Sequence, residues 1–227
     1  MTSDNKLYIV STPIGNYGDI TLRALNILKS VDLIICEEFK EARRLLSHFK
    51  IEKKLLSLNE HNQEEYSREL FELISSGKTA VLISDCGTPL FSDPGFLLVQ
   101  MCIKAKIDIV PIPGANSLLP ALVGSGFNLD KFYYAGWLSP KSDIRKKELL
   151  RLKNVKELIV LMETPYRLKA ILSDVSKIFG VGSKIAVAFD LTLPTEKFFR
   201  GTVLDILKIV ESKNLKGEFV ILIDNNK

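Results

Sequence analysis

The chain has 227 residues, of which 46% are hydrophobic and 26% charged, and its formal net charge is +4. This composition excludes a disordered or collagen-like chain, and the mild positive charge permits a nucleic-acid partner without requiring one. Three cysteines without a CxxC pair argue against a disulfide framework or a metal site, and the lack of a ~20-residue apolar run or a signal-peptide pattern predicts a cytoplasmic protein without a membrane partner.

The first half of the chain alternates short apolar segments with amphipathic ones. Strands are expected at residues 7–10, 31–36, 79–84 and 107–110, with a short apolar piece at 55–58. Helices are expected between them, at residues 20–28, 41–49, 64–74 and 95–104. Continuous apolar strands joined by helices indicate parallel βαβ units whose sheet is buried on both faces.

The pattern restarts after a polar turn at residues 128–130. Further strands are expected at residues 131–136, 158–162, 184–189, 198–202 and 219–223, and helices at 145–153 and 166–179. The sequence therefore predicts an α/β protein of two domains, residues 1–128 and 129–227.

Three loops that follow predicted strands are rich in Gly, Pro and Asp: residues 11–19, 84–95 and 111–117. In open α/β sheets a ligand binds beyond the carboxyl ends of the strands, so these loops are candidate binding segments. Ordinary turns and helix caps explain the same residue types, and that alternative stays open. None of the loops matches the dinucleotide or P-loop fingerprints, and the chain has no G-x-S-x-G hydrolase motif.

Taken together, the loop sequences resemble those of the ribosomal RNA small subunit methyltransferase I family, within the tetrapyrrole-methylase superfamily. The two specific motifs are TPIGNYGDITLRAL at residues 12–25 and SDCGTPLFSDPG at residues 84–95. Weaker matches follow in the expected order, at residues 60–62, 111–114, 124–126, 136–141, 163–167, 200–201 and 216–219. The resemblance therefore covers nearly the whole chain.

The resemblance implies a tetrapyrrole-methylase-like fold of two α/β domains, with S-adenosylmethionine in the cleft between them, usually within a homodimer. It also implies 2′-O-methylation of a cytidine ribose in the decoding region of small-subunit (16S) rRNA, so the partner would be that rRNA or the small ribosomal subunit. Carried over by position, the residues expected to bind the cofactor are Pro13, Gly15, Asp85, Gly87, Thr88, Gly114, Ala115, Asn116, Ser117, Met162, Ala188 and Gly217.

The chain departs from the family's usual pattern in three loops. Glu-Glu-Phe-Lys at residues 37–40 stands where Glu-Asp-Thr-Arg is typical, and Tyr166 stands where the family has His. Phe-Asp at residues 189–190 replaces Arg-Glu. Because these loops are expected to face the substrate, the departures bear on the RNA target more than on the cofactor.

Methyl transfer to a ribose hydroxyl needs a well-positioned nucleophile, and a nearby base assists it. Glu37, at the end of the second predicted strand, is the first candidate for that base. Glu38, Glu60, His61 and Glu163 are further candidates, and a capping or ion-pairing role is the simpler alternative for each.

Substrate RNA requires cations, and basic residues are concentrated at 40–54 and 141–156. The residues expected to contact RNA are Arg43, Arg44, His61, Asn62, Lys141, Arg145 and Arg167. Trp137 and Tyr134 precede the second basic run and are candidates for stacking on bases.

Two alternatives remain from the sequence. One is a methyltransferase of the same fold that acts on a tetrapyrrole or a protein side chain. The other is a non-catalytic, RNA-binding relative, which would bind RNA without turning over the cofactor.

Overall fold

The computed structural model describes residues 5–91 and 93–225. It divides into two compact units, residues 1–116 and 117–227. The elements of the first unit are β1 (Lys6–Val10), α1 (Leu22–Ser30), β2 (Leu33–Cys36), α2 (Phe39–His48), β3 (Lys54–Ser57), α3 (Gln63–Ser75), β4 (Ala80–Ile83), α4 (Phe96–Lys104) and β5 (Asp108–Ile112).

The first unit is a parallel sheet with helices on both faces. Its strand order is β3-β2-β4-β1-β5, and every strand pair is parallel. All residues of β2 and β4 are buried, because α1 and α2 cover one face of the sheet and α3 and α4 cover the other. The prediction of parallel βαβ units is confirmed for this half of the chain.

The strand order determines which loops meet. Strands β4, β1 and β5 are neighbours and run in the same direction, so the loops that follow them leave the sheet at one edge. These are the three loops that the sequence singled out. The crossover from β4 to β5 passes over β1, and such a topology leaves room for a ligand at the carboxyl edge.

The elements of the second unit are α5 (Leu118–Ser125), β6 (Phe132–Trp137), α6 (Ser142–Leu152), β7 (Leu158–Glu163), α7 (Leu168–Phe179), β8 (Lys184–Phe189), β9 (Lys197–Thr202), α8 (Val203–Lys213) and β10 (Phe219–Ile223). Its sheet has the order β6-β7-β10-β8-β9, and β6 and β7 are its parallel pair. The pairs β7–β10, β10–β8 and β8–β9 are antiparallel. The second half of the chain therefore does not continue the parallel βαβ pattern of the first half. Between β8 and β9, the connecting segment is too short for a crossover helix.

Helix α8 was missed from the sequence, although a local signal was present. Val203, Ile206 and Val210 are its buried residues, and their spacing of three and four is that of an amphipathic helix. Thr202 caps the helix by accepting a hydrogen bond from the backbone N–H of Asp205.

The two compact units meet in sequence before α5, whereas the polar turn at residues 128–130 suggested a boundary after residue 128. The difference is α5, which buries Ala121 and Leu122 and packs on β8, β9 and β10 of the second unit. Within residues 5–91 and 93–225, no helix has the length and apolarity needed to cross a membrane.

Candidate functional site

The loops after β1 and β4 are joined by a short two-way bridge. The backbone N–H of Thr12 donates to the carbonyl of Gly87 at 2.9 Å, and the N–H of Gly87 donates back to Thr12 at 3.1 Å. The Thr12 hydroxyl also donates to the carbonyl of Ser84 at 3.1 Å. Gly87 has a φ of +81°, a conformation that few other residues adopt without strain. These hydrogen bonds therefore fix the two loops relative to each other.

The loop after β5 contacts both of these loops. The hydroxyls of Ser11 and Thr88 lie 2.8 Å apart, and the Thr88 hydroxyl is 3.5 Å from the carbonyl of Ala115. A Cβ at Gly114 would lie 2.9 Å from the Cβ of Ser11, closer than such atoms approach. Only glycine allows this contact, so Thr88 and Gly114 bring the third loop against the first.

These contacts place several of the predicted cofactor residues at one edge of the first sheet: Pro13, Gly87, Thr88, Gly114 and Ala115. Gly15 lies in the exposed part of the first loop, which is held by stacking of Tyr17 on His48 of α2, with 4.2 Å between ring centroids. Ser11 and Thr12 were not singled out from the sequence. Their hydroxyl groups directly after a strand were the available signal.

Asp85 links the carboxyl edge to helix α2. One oxygen of its carboxylate accepts a hydrogen bond from the backbone N–H of Glu38 at 3.2 Å. Glu38 is the N-cap residue of α2 and makes no side-chain cap of its own, so Asp85 caps the helix from another loop. Burial raises the pKa of the Asp85 carboxyl, and the negative charges of Glu38 and Glu41 add to the rise.

Glu37 lies half-buried beside Asp85, at the carboxyl end of β2. Burial raises its pKa, and the charges of Asp85, Asp93, Glu38 and Glu60 raise it further. Burial also raises the pKa of Asp93. Carboxyl groups that resist deprotonation at one edge favour a positively charged ligand there, because a cation offsets their repulsion.

In the second unit, two predicted cofactor residues lie on one row across the sheet. Val220 of β10 pairs with Met162 of β7 on one side and with Ala188 of β8 on the other, and Trp137 extends the row by pairing with Met162. Side chains of directly paired residues project from the same face of a sheet. The row is therefore a continuous strip of one face, in which Val220 and Ala188 are buried and Met162 is partly exposed.

Gly217 lies where the chain enters β10 and closely approaches the loop after β8. A Cβ at this position would overlap the carboxylate of Asp190. Asp190 holds the junction by two further bonds, since its N–H donates to the Glu218 carbonyl at 2.8 Å and its carboxylate accepts from the Glu218 N–H at 3.0 Å. The departure from the family pattern at residue 190 thus retains a carboxylate with a structural task.

Several of the residues expected to contact RNA are exposed: Arg43, Arg44, His61 and Lys141. Arg43 lines a surface groove between α2 and β3 together with Lys50 and Lys53. Asn62, which was also expected to contact RNA, is partly exposed and holds the loop after β3 with its side-chain amide. The amide oxygen accepts from the N–H of Asn59 at 2.8 Å, and the amide nitrogen donates to the carbonyl of Ser57 at 3.3 Å.

Arg145, which was expected to contact RNA, is turned away from solvent. Its guanidinium is buried and ion-paired with Asp174 at 2.7 Å, and it donates to the carbonyls of Ser139 and Pro140. Arg167 is partly buried and pairs with Glu163 at 2.9 Å. Since Glu163 is 1% exposed and ion-paired, it is a poor candidate for a base that must reach a substrate.

No cluster of three or more His, Cys, Asp or Glu side chains suited to a metal ion occurs in the described part of the chain. Cys36 and Cys102 are buried, and burial raises the pKa of the Cys36 thiol to about 12 and that of Cys102 to about 11. Both thiols are therefore protonated at neutral pH and inert as ligands or nucleophiles.

Comparisons with known proteins identify chains that are similar to this one. Residues 6–207 match the model of the tetrapyrrole (corrin/porphyrin) methylases. A protein of Synechocystis named ribosomal RNA small subunit methyltransferase I is 41% identical, over 96% of this chain and 78% of its own. A Thermotoga maritima protein of the same name is 38% identical, over 98% of this chain and 99% of its own.

The fold itself is that of a solved cobalt precorrin-4 methyltransferase. This structure superposes with a TM-score of 0.69 over 97% of this chain and 95% of the other, at 21% identity. The expected tetrapyrrole-methylase fold is confirmed by these matches.

Proposed function

Because the chain belongs to the tetrapyrrole methylases, and within them to the ribosomal RNA small subunit methyltransferase I family, we propose that it methylates small-subunit rRNA. The methyl group comes from S-adenosylmethionine, and the acceptor is the ribose 2′-hydroxyl of a cytidine in the decoding region. Identity along nearly the whole chain with relatives of that name is the observation that carries this proposal.

The residues at the carboxyl edge of the first sheet suit this cofactor. S-adenosylmethionine carries a positive sulfonium and a positive amino group, and Glu37, Asp85 and Asp93 make this edge acidic. The close approach of Gly114 to Ser11 holds the loop after β5 against the loop after β1 at this edge. We assign cofactor binding to Pro13, Gly15, Asp85, Gly87, Thr88, Gly114, Ala115, Asn116 and Ser117, with Met162, Ala188 and Gly217 from the second unit.

The sulfonium of the cofactor supplies an activated methyl group, so the protein's task is to orient the hydroxyl and take up its proton. Glu37 suits proton uptake because its raised pKa lies nearer to neutral than that of an ordinary carboxyl. Asp85 holds the start of α2, the element that directly follows Glu37, and so keeps the carboxylate in place. Positioning of the two reactants accounts for most of the acceleration.

The test of the function is transfer of labelled methyl from S-adenosylmethionine to small ribosomal subunits that lack the modification. Nuclease digestion then maps the label. Label on one cytidine ribose of the decoding region is the expected result. Cofactor binding without RNA labelling would indicate another acceptor, and absence of cofactor binding would leave a non-catalytic relative.

Asp85 provides a sharper test of the cofactor site. In Asp85→Asn the amide oxygen still accepts the N–H of Glu38, so the cap is kept while the charge is lost. We expect the dissociation constant for S-adenosylmethionine, measured by calorimetry, to rise roughly 10- to 100-fold, as for a lost bond to a charged group. Asp108→Asn, at the opposite edge of the same sheet, is the control. Unchanged affinity in Asp85→Asn would remove Asp85 from the site.

The same family membership supports a homodimer in the cytoplasm as the working form. Static light scattering of the purified chain measures its mass directly. A mass of one chain across the working concentration range would contradict the dimer.

A further inference from the structure

The chain's single tryptophan lies at the end of β6 and is 44% exposed. Trp137 pairs directly with Met162 of β7, and so extends the row that we assign to the cofactor. Phe132 and Tyr133 of the same strand are exposed to a similar extent, so exposure alone does not distinguish Trp137. Its place beside Met162 does, because an exposed aromatic face there is available to a ligand.

A β-bulge directs Trp137 to this face. The register between β6 and β7 shifts between Tyr134 and Gly136, so Tyr134 pairs with Val160 and Trp137 pairs with Met162. Side chains three positions apart normally face opposite sides of a strand, but the extra residue brings Tyr134 and Trp137 to the same side. The Tyr134 hydroxyl accordingly contacts the sulfur of Met162 at 3.1 Å.

The backbone of the bulge favours glycine at position 136. Gly136 has a φ of +66°, and the ring of Tyr134 would lie 3.5 Å from a Cβ at that position. Without the bulge, Trp137 would point into the helix-covered core that contains Ile159 and Leu161. The bulge therefore exposes the indole ring of Trp137 to solvent, whereas regular strand pairing would bury it.

The segment that follows Trp137 is held by charged side chains. The N–H of Ser139 donates to the carboxylate of Glu148 at 2.8 Å. The carbonyl of the same residue accepts from Arg167 at 2.8 Å and from Arg145 at 3.3 Å. Buried ion pairs with Glu163 and Asp174 orient these two arginines. Groups fixed in this way lose little conformational entropy when a ligand binds.

Exposed cationic side chains follow the segment that is held at Ser139. Lys141 is the N-cap residue of α6, and Lys147 and Arg151 of that helix are exposed, whereas Arg145 is turned inward. An aromatic face followed by exposed cations fits a single-stranded nucleotide, whose base stacks and whose phosphates pair with the cations.

We propose that Trp137 is the platform on which a nucleobase of the RNA substrate stacks. Arg145, Arg167 and Glu148 are positioning residues, because they hold the segment that follows Trp137. This inference rests on the proposed function and adds a contact to the acceptor strand. The base stacked on Trp137 lies beside the Met162 row, so the platform holds the target nucleotide or its immediate neighbour next to the methyl donor.

Intrinsic fluorescence tests the inference directly, because Trp137 is the only tryptophan. The protein is first saturated with S-adenosylhomocysteine, so that cofactor effects are complete, and is then titrated with a short single-stranded oligocytidylate. We expect quenching of the indole emission that follows RNA binding measured independently by fluorescence anisotropy. Binding without any change in emission would overturn the proposal.

Kinetics of methyl transfer to small subunits give a second readout. Trp137→Leu should raise KM for the RNA substrate about 5- to 150-fold, the range for loss of one stacked base, while cofactor affinity stays unchanged. Trp137→Phe keeps an aromatic face and should recover most of the loss. Tyr133→Leu, an exposed aromatic residue of the same strand that pairs with Ile159 on the opposite face, is the control.

These outcomes separate the inference from the function. Wild-type methyl transfer to rRNA together with an unaffected Trp137→Leu would reject the platform and leave the function standing. Failure of the wild-type chain to label rRNA would reject the function first.

Discussion

At the scale of single residues, Glu37 combines two properties that a general base needs. It lies at the carboxyl end of a strand, where ligands bind, and burial together with the charges of Asp85 and Asp93 raises its pKa. Position alone could be read from the sequence. The raised pKa could not, because Asp85 and Asp93 come from another strand's loop.

We expect Glu37→Gln to lower kcat for methyl transfer about 100-fold or more, because proton uptake is lost. Cofactor affinity should fall much less, since Asp85 and Asp93 keep this edge acidic. In the wild type, the rate should increase as the pH rises through the elevated pKa, where the carboxyl becomes ionised. That step should vanish in the variant. Glu38→Gln is the neighbouring control, and equal losses in both variants would contradict the assignment.

The raised pKa of Glu37 also predicts an effect on the stability of the fold. Because the folded-state pKa of Glu37 lies above its unfolded value, the folded state binds this proton more tightly. The favourable contribution is present at acidic pH and is lost as the pH rises through the folded pKa. Glu37→Gln should therefore raise the free energy of unfolding at neutral pH, measured in urea, and should change it little at pH values below the unfolded pKa. A variant less stable than wild type at neutral pH would be inconsistent with this account.

Arg145 shows how burial reverses an expectation from charge. Arg145→Met would leave the Asp174 carboxylate buried without its partner, and we expect a loss of about 3–5 kcal/mol in unfolding free energy. Lys147→Met, an exposed position of the same helix, should change stability little. The double variant Arg145→Met/Asp174→Leu should recover much of the loss, because no unpaired charge remains. Equal stability of the two single variants in urea unfolding would contradict a structural role.

At the scale of elements, the site depends on how three strand-following loops meet. Strand neighbours β4, β1 and β5 place the loops together, and the contacts of Thr12, Thr88 and Gly114 lock them. A substitution that shifts one loop should therefore also shift the other two.

Gly114→Ala tests this coupling. The new methyl group would lie 2.9 Å from the Cβ of Ser11, so the third loop must shift away from the first. We expect cofactor affinity to fall at least 10-fold in calorimetry, with most of the stability kept. Gly182→Ala, where a Cβ meets nothing within 4 Å, is the control and should bind the cofactor as the wild type does. Normal affinity in Gly114→Ala would show that the loops move independently.

At the scale of the whole molecule, the net charge of +4 and the exposed cations of α2 and α6 predict how RNA binding responds to salt. Affinity for a single-stranded RNA should fall steadily as monovalent salt rises from about 50 to about 200 mM, since each phosphate contact releases a counterion. Replacing Lys141 and Lys147 by Gln should reduce the slope of log affinity against log salt by roughly one to two. A slope equal to that of the wild type would place the RNA elsewhere.

The sequence by itself determined the alternation of strands and helices, the two-domain α/β class and the position of the three Gly- and Pro-rich loops that follow strands of the first sheet. Hydrophobic periodicity, glycines and prolines are local signals, and they locate elements and turns without tertiary information. The family motifs lie in those same loops, so the reaction type was also predictable and agrees with the relatives.

Tertiary structure alone decided the pairing and the environment of individual side chains. Strand β10 enters the second sheet between β7 and β8, and Arg145 pairs with Asp174, 29 positions away, instead of facing solvent. The bulge that turns Trp137 outward exists only against β7. The physical reason is common to all three, since burial, ion pairing and strand register depend on residues far apart in the chain, which the local pattern of the sequence does not record.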